Sequence, residues 1–177
     1  MNKSILKNSD HCKLCDNMHF DFNKGVFCGL DMKRPKFNNK CINIYLDEAY
    51  KEKIKTINIE YESVLKTKTD TFGHIIIYST IGVFILILNY VLTQYIFNKG
   101  FISTISIIIF VIALIPLGRA IGIFNFYRTA LSIAKKKKMI LDELTKLYNH
   151  SYDINIEHIV DSLKNVEHKV DLSIKKK

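Results

Sequence analysis

The chain has 177 residues, 48% of them hydrophobic, and 26 Lys and Arg against 17 Asp and Glu leave a formal net charge of +9. An apolar hairpin at residues 75–117 leaves 74 residues before it and 60 after it, too little on either side for a core around a large catalytic cleft. The basic excess next to apolar segments points to anionic lipid rather than nucleic acid, for which the chain holds neither a motif nor an aromatic stacking set.

All four cysteines fall early, as Cys12, Cys15, Cys28 and Cys41, with the spacing C-x2-C-x12-C-x12-C. In a reducing compartment thiolates for a metal are favoured over disulfides. Four of them suit tetrahedral Zn²⁺ in a structural role. The CxxC pair would grip one edge of the ion, and Cys28 and Cys41 would arrive singly. Gly25 and Gly29 stand where turns around the third ligand need a permissive backbone. His11 and His19 are bystanders on this reading, since four cysteines already fill the site. A redox CxxC and free thiols in an unstructured tail are the alternatives.

These residues also carry a resemblance. The string Cys12-x2-Cys15-x4-Phe20-Asp21-x3-Gly25-x2-Cys28-Gly29-Leu30-x4-Pro35-x-Phe37-x3-Cys41 is similar to a small cysteine module found at the start of many bacterial membrane proteins of uncharacterised function. Asp31 departs from that pattern, which more often has Thr there. The resemblance covers residues 10–45 and implies a zinc-bound structural module, with no activity attached. In physical terms Phe20, Val26, Leu30 and Phe37 are expected to supply its small apolar packing and the metal the rest.

Beyond Cys41 the pattern turns helical. Leu46, Tyr50, Ile54, Ile57, Tyr61 and Val64 recur every three or four residues and predict an amphipathic helix over 44–72, ending near Thr69-Asp70-Thr71. Its apolar stripe is expected to pack on the helix beyond the hairpin. His74 is expected at the membrane edge. Residues 75–97 and 101–118 contain no charged side chain and are separated by Asn98-Lys99-Gly100. A bilayer core takes roughly 20 apolar residues. The 14 Leu, Ile, Phe and Val of the first run favour insertion by about 4–8 kcal/mol at most. A two-span hairpin over 73–118 is therefore expected, and with 74 polar residues ahead of it the first span is not expected to be a signal peptide.

Ser79, Gly82, Asn89 and Thr93 share one face of the first span, and Ser103 and Ser106, with Ala113, gather on the second. Such a face serves helix packing or lines a polar path. Lys66 and Lys68 precede the hairpin, and Arg119, Arg128, Lys135, Lys136, Lys137 and Lys138 follow it, against Lys99 alone in the turn. The basic side faces the cytosol, so both termini are expected there, with the residues after the hairpin meeting lipid headgroups. Phe124, Phe126 and Tyr127 suit the interface.

A post-membrane amphipathic helix is expected over 119–150, with a break at Asn149-His150-Ser151. In 151–177, Ile156, Ile159, Leu163, Val166 and Val170 alternate spacings of 3 and 4, which predicts a coiled-coil-like helix. It would pack on the 46–65 stripe or pair between subunits. His150, His158 and His168 have no downstream Arg to make a helical nuclease pattern.

The expected fold is an all-α integral membrane protein: a four-cysteine zinc-knuckle-like module over 1–43, the two-helix transmembrane hairpin and amphipathic cytosolic helices. No nucleophile–base pair, phosphate loop or catalytic carboxylate set can be assembled, so no enzyme and no small-molecule substrate are expected. The expected setting is a bacterial inner (cytoplasmic) membrane. Two functions fit: an adaptor binding a cytosolic protein partner through its zinc module and helices, or an oligomeric two-span effector that forms a pore or perturbs the bilayer. Homo-oligomerisation is expected, no nucleic acid is, and a redox or metal sensor is compatible with either.

Overall fold

The computed structural model describes residues 6–23, 25–95, 104–160 and 166–176. A short helix α1 (Asn8–Cys12) leads into strands β1 (Met18–Asp21) and β2 (Gly25–Cys28). Two long helices follow, α2 (Glu48–Tyr95) and α3 (Thr104–Leu147), and then strands β3 (His150–Val160) and β4 (Val166–Lys176). The protein is mostly helical. It divides into two compact units, one made of Met1–Glu62 with Ala134–Lys177, the other of Ser63–Ile133.

In the first unit β1 and β2 form an antiparallel hairpin with Met18 opposite Cys28 and Asp21 opposite Gly25. Gly25 sits at φ +76°, in the left-handed region that glycine enters without steric cost. The Asp21 carboxylate accepts the Asn23 N–H at 2.8 Å and braces the turn. The core of the unit is Leu14, Tyr50, Ile54, Leu141 and Leu144, all nearly inaccessible. Each such side chain stabilises by roughly 1.5–3 kcal/mol on burial. Tyr50 and Ile54 of the predicted stripe thus meet the helix beyond the hairpin, as its spacing implied. Tyr50 also donates its hydroxyl to Thr145 Oγ1 at 3.1 Å.

The expected C-terminal helix is a β-hairpin instead. Strands β3 and β4 pair antiparallel from His150 opposite Lys176 to Val160 opposite Val166. The reason is a period of two that the 3–4 spacing obscured. Tyr152, Ile154 and Ile156 alternate with Asp153, Asn155 and Glu157, and Val170, Leu172 and Ile174 alternate with Lys169, Asp171, Ser173 and Lys175. Successive strand residues point to opposite faces. Tyr152, Ile154, Leu172 and Ile174 accordingly pack against the helical core. With four strands among the described residues, the all-α expectation is corrected to a mostly helical protein carrying small antiparallel sheets. The predicted break at Asn149 does appear: the residue adopts φ 56° just after α3 ends, a left-handed helix terminus.

No breaks separate the apolar segments from their flanks. Residues 69–74 continue α2 and residue 119 lies inside α3, so the boundaries expected at 72/73 and 118/119 are not ends of elements. Thr and Gly there have lower helix propensity, but hydrogen bonding on both sides carries the helix through. Pro116 is also accommodated within α3.

In the second unit α2 and α3 are long and apolar enough to cross a membrane, and only 6% and 11% of their most apolar 18-residue windows is buried. The turn at Asn98-Lys99-Gly100 lies outside the described residues. The helices approach closely at Gly82, where an added Cβ would lie 2.5 Å from Leu117 Cγ and 3.3 Å from the Ala113 carbonyl. Ala113, Ala120 and Tyr127, seven residues apart on α3, are all buried. Phe72 meets Tyr127 edge-on at 6.2 Å.

Two outcomes are expected. Gly82→Val forces a steric overlap costing about 1–3 kcal/mol of hairpin association, and Leu117→Ala in the same chain relieves much of it, as a double-mutant cycle on helix association would show. Ile156→Asp, at a buried strand position, lowers the denaturation midpoint of the first unit, whereas Asn155→Asp on the exposed face leaves it nearly unchanged; a helix would not produce that alternation.

Candidate metal centre

The four cysteines reach one place from three local structures. Cys12 ends α1 and Cys15 follows one turn on, with the Cys15 N–H donating to the Cys12 carbonyl at 3.0 Å. Cys28 ends β2 and opens a tight turn in which Met32 N–H donates to its carbonyl at 2.8 Å and Cys28 N–H to the Lys33 carbonyl at 3.0 Å. At Gly29 an added Cβ would lie 3.0 Å from the Asn17 carbonyl, a tight fit that requires its neighbours to give. Cys41 arrives on the extended segment before α2.

All four line a cavity of about 610 Å³, with Lys33, Arg34, Lys36 and Lys40 also on its wall. Burial, then the charges of Cys41, Cys28 and Cys15, push the Cys12 thiol up to about 11. Burial also pushes the Cys41 thiol up, opposed by a hydrogen bond from the Asn43 backbone and reinforced by Cys15, Cys28 and Asp31. Cys15 Sγ accepts the Tyr45 N–H at 3.4 Å. Two of the cysteines, Cys15 and Cys41, hold backbone donors suited to a thiolate. As positioned, however, no group of three or more His, Cys, Asp or Glu side chains among the described residues could hold a metal ion. The four cysteines thus line one cavity, and the expected zinc-knuckle is not shown among the described residues.

The expected packing of the module is corrected as well. Phe20 and Leu30 are exposed: Phe20 lies on a two-stranded ribbon and Leu30 in the turn after β2. Leu14, between the paired cysteines, is the buried anchor. His11, expected to be a bystander, is 2% exposed. Its Nδ1 lies 2.7 Å from Tyr148 Oη, and its ring meets Phe37 edge-on at 4.9 Å. Burial lowers its affinity for a proton, with Asp10 partly opposing. Tyr148 Oη in turn accepts the Cys41 N–H at 3.0 Å.

Asp16, next to Cys15, accepts the Asp47 N–H and the Ala49 N–H, each at 2.8 Å, and so satisfies free donors at the start of α2. Neither Asp16 nor Tyr148 was singled out for this role from the sequence. Their partners lie 31 and 107 residues away, and no local pattern signals such a pairing.

Of the residues expected to face a pore or a helix partner, Asn89, Thr93 and Ser106 meet one another inside the second unit. Thr93 Oγ1 donates to the Asn89 carbonyl at 2.7 Å, Ser106 Oγ donates to Asn89 Oδ1 at 2.8 Å, and the two hydroxyl oxygens lie 2.9 Å apart. Gly82 is at the close helix contact and Ser79 is half-buried. Ser103 lies outside the described residues. Among the side chains expected at headgroups, Arg119 lies over the Tyr78 ring at 5.1 Å. In the first unit Lys137 pairs with Glu60 at 2.7 Å and Lys138 lies over the Tyr61 ring at 4.9 Å. Arg128, Lys135 and Lys136 are exposed.

No family model, curated protein or solved structure matches the chain.

The protonation of the module has a definite sign. His11 binds its proton less readily when folded, so its contribution to stability is present above pH 6.5 and lost as the pH falls. Cys12 binds its proton more tightly when folded, so its contribution is complete below pH 9 and lost as the pH rises towards about 11. The chelator-treated protein is expected to lose denaturant resistance on both sides of that window, and Cys12→Ser to lessen the alkaline loss measured between pH 8 and 11.

Proposed function

We propose that the chain is a membrane-anchored adaptor without catalytic activity. The second unit crosses a cytoplasmic membrane as a hairpin with both termini in the cytosol. The four cysteines hold a structural Zn²⁺, and the first unit offers a docking surface to a cytosolic protein.

The observation that carries this reading is the mutual contact of Asn89, Thr93 and Ser106. The Thr93 and Ser106 hydroxyls each have an oxygen of Asn89 as acceptor within one hairpin, and the two hydroxyl oxygens lie side by side. Both hydroxyls and the Asn89 side-chain oxygen therefore have partners without a water-filled path, as polar groups in lipid require. Around them Ile76, Ile77, Ile107, Ile108 and Ile115 are exposed. Contiguous apolar surface of this kind is costly in water and natural in a bilayer. Lys66, Lys68, Arg128, Lys135 and Lys136 favour a cytosolic location for the flanks.

The donor set supports zinc on chemical grounds. Four thiols around one cavity, Cys12 and Cys15 buried and Cys28 and Cys41 half-buried, would as thiolates be neutralised in part by one divalent cation. Cys12, Cys15, Cys28 and Cys41 would close on the ion at about 2.3 Å each. Four thiolates around Zn²⁺ carry a formal charge of −2, and Lys33, Arg34, Lys36 and Lys40 on the cavity wall offset it.

One feature favours the second reading, an oligomeric effector. Gly118 and Gly122, four residues apart on α3, are exposed, and a Cβ at either meets nothing within 4 Å. Small residues at this spacing promote association of helices in lipid.

Detergent-corrected mass of the full-length protein separates the two. A monomer or dimer, insensitive to Gly118→Ile, is expected for the adaptor. A ring of six or more subunits that Gly118→Ile dissolves would replace it with the effector. Asn89→Leu is expected to weaken hairpin packing by about 0.6 kcal/mol, up to roughly 2, and to leave cytosolic binding intact. Cys28→Ser is expected to abolish the bound zinc counted by mass spectrometry.

A further inference from the structure

The loops that carry the cysteines also hold both helix ends of the first unit. Beside Cys15, the Asp16 carboxylate takes the Asp47 and Ala49 N–H groups at the start of α2, while its own N–H donates to the Tyr45 carbonyl at 3.0 Å. Tyr45 closes the loop by donating its N–H to Cys15 Sγ. At the other helix, Tyr148 stands directly after α3 and takes the Cys41 N–H on its phenol oxygen. The same oxygen lies 2.7 Å from Nδ1 of His11, the residue before Cys12. These contacts join a cysteine, or its immediate neighbour, to the end of a long helix or, through Tyr45, to the loop that enters α2.

We propose that ion binding at the four cysteines is linked to docking of the α2 N-terminus and the α3 C-terminus, with Asp16 and Tyr148 as the positioning residues that join them. The proposal rests on the zinc reading. An ion that draws the thiolates inward fixes the backbone at Cys15 and Cys41, and the groups bonded to that backbone lose freedom with it. Groups outside the coordination shell orient ligands and commonly alter metal affinity 10–100-fold. Because the coupling is between two binding equilibria, it is reciprocal: what holds the helix ends also tightens the ion. The cysteine site then senses whether the helix ends are seated, and a cytosolic partner that displaces either end weakens the hold on the ion.

The test uses full-length protein in detergent, titrated with Zn²⁺ against a chromophoric chelator and with Co²⁺ for its thiolate charge-transfer bands. Tyr148→Phe removes only the hydroxyl, and Asp16→Asn removes the charge. Each is expected to weaken Zn²⁺ binding about tenfold while the Co²⁺ spectrum keeps its four-thiolate form. Ile156→Ala, at a buried strand position outside the core cluster that contains Leu14, is expected to lower stability without changing metal affinity. Zn²⁺ is expected to slow hydrogen exchange at the Asp47, Ala49 and Cys41 amides of the wild type, with the Cys41 effect lost in Tyr148→Phe. Equal Zn²⁺ affinity in wild type and both variants would overturn the linkage and leave the zinc site standing. Absence of Zn²⁺ binding by the wild type would overturn the zinc reading and the linkage with it.

Discussion

Close approach of α2 and α3 is the constraint on which each unit depends. In the second unit the approach is set by what is missing: Gly82 has no side chain, and Ala113 and Ala120 have only a methyl group. On the membrane reading proposed above, lipid is as apolar as the helix surfaces, so dispersion at short range and a few hydrogen bonds hold the helices. Asn89, Thr93 and Ser106 provide those bonds. In the first unit the same two helices meet through Tyr50, Ile54, Leu141 and Leu144, where water is the reference and burial itself drives contact. The packing changes from small residues to large ones as the solvent argument changes.

The cysteine module depends on that second kind of contact. A two-stranded hairpin and a five-residue helix bury too little to stand alone. Leu14 provides a point of attachment to the helical core, and Asp16 and Tyr148 provide directional ones. A module bound to both helix ends exploits groups that would otherwise lack partners, the free N–H groups at the start of α2 above all. This economy also explains why His11 is buried: with its ring between Phe37 and Tyr148, it fills the space between the cysteine loops and the end of α3.

Much of this architecture was legible in advance, and the failures have physical causes. The apolar hairpin could be read because absence of charge over 23 and 18 residues is a signal that needs no partner to interpret. The stripe through Tyr50 and Ile54 could be read because a period of 3.6 records which face is buried. In residues 151–177, Ile156, Ile159, Val166 and Val170 satisfy a helical spacing by coincidence. The stricter alternation around them, and the β-branched residues at its apolar positions, carried the true period. The knuckle's packing was misjudged because Phe20 and Leu30 look like core by composition alone.

What the sequence by itself determined is what depends on local order: two apolar runs, an amphipathic stripe, four cysteines clustered before the first of them, and a basic bias on the flanks. These properties follow from periodicity, composition and spacing, which any segment displays without reference to the rest of the chain. Only the tertiary structure decided which distant groups meet. It assigned Asp16 to the start of α2, Tyr148 to Cys41 and His11, Ser106 to Asn89, and Lys137 to Glu60. Those pairings depend on the direction of each side chain after the helices have packed, a quantity that residue spacing along the chain does not encode.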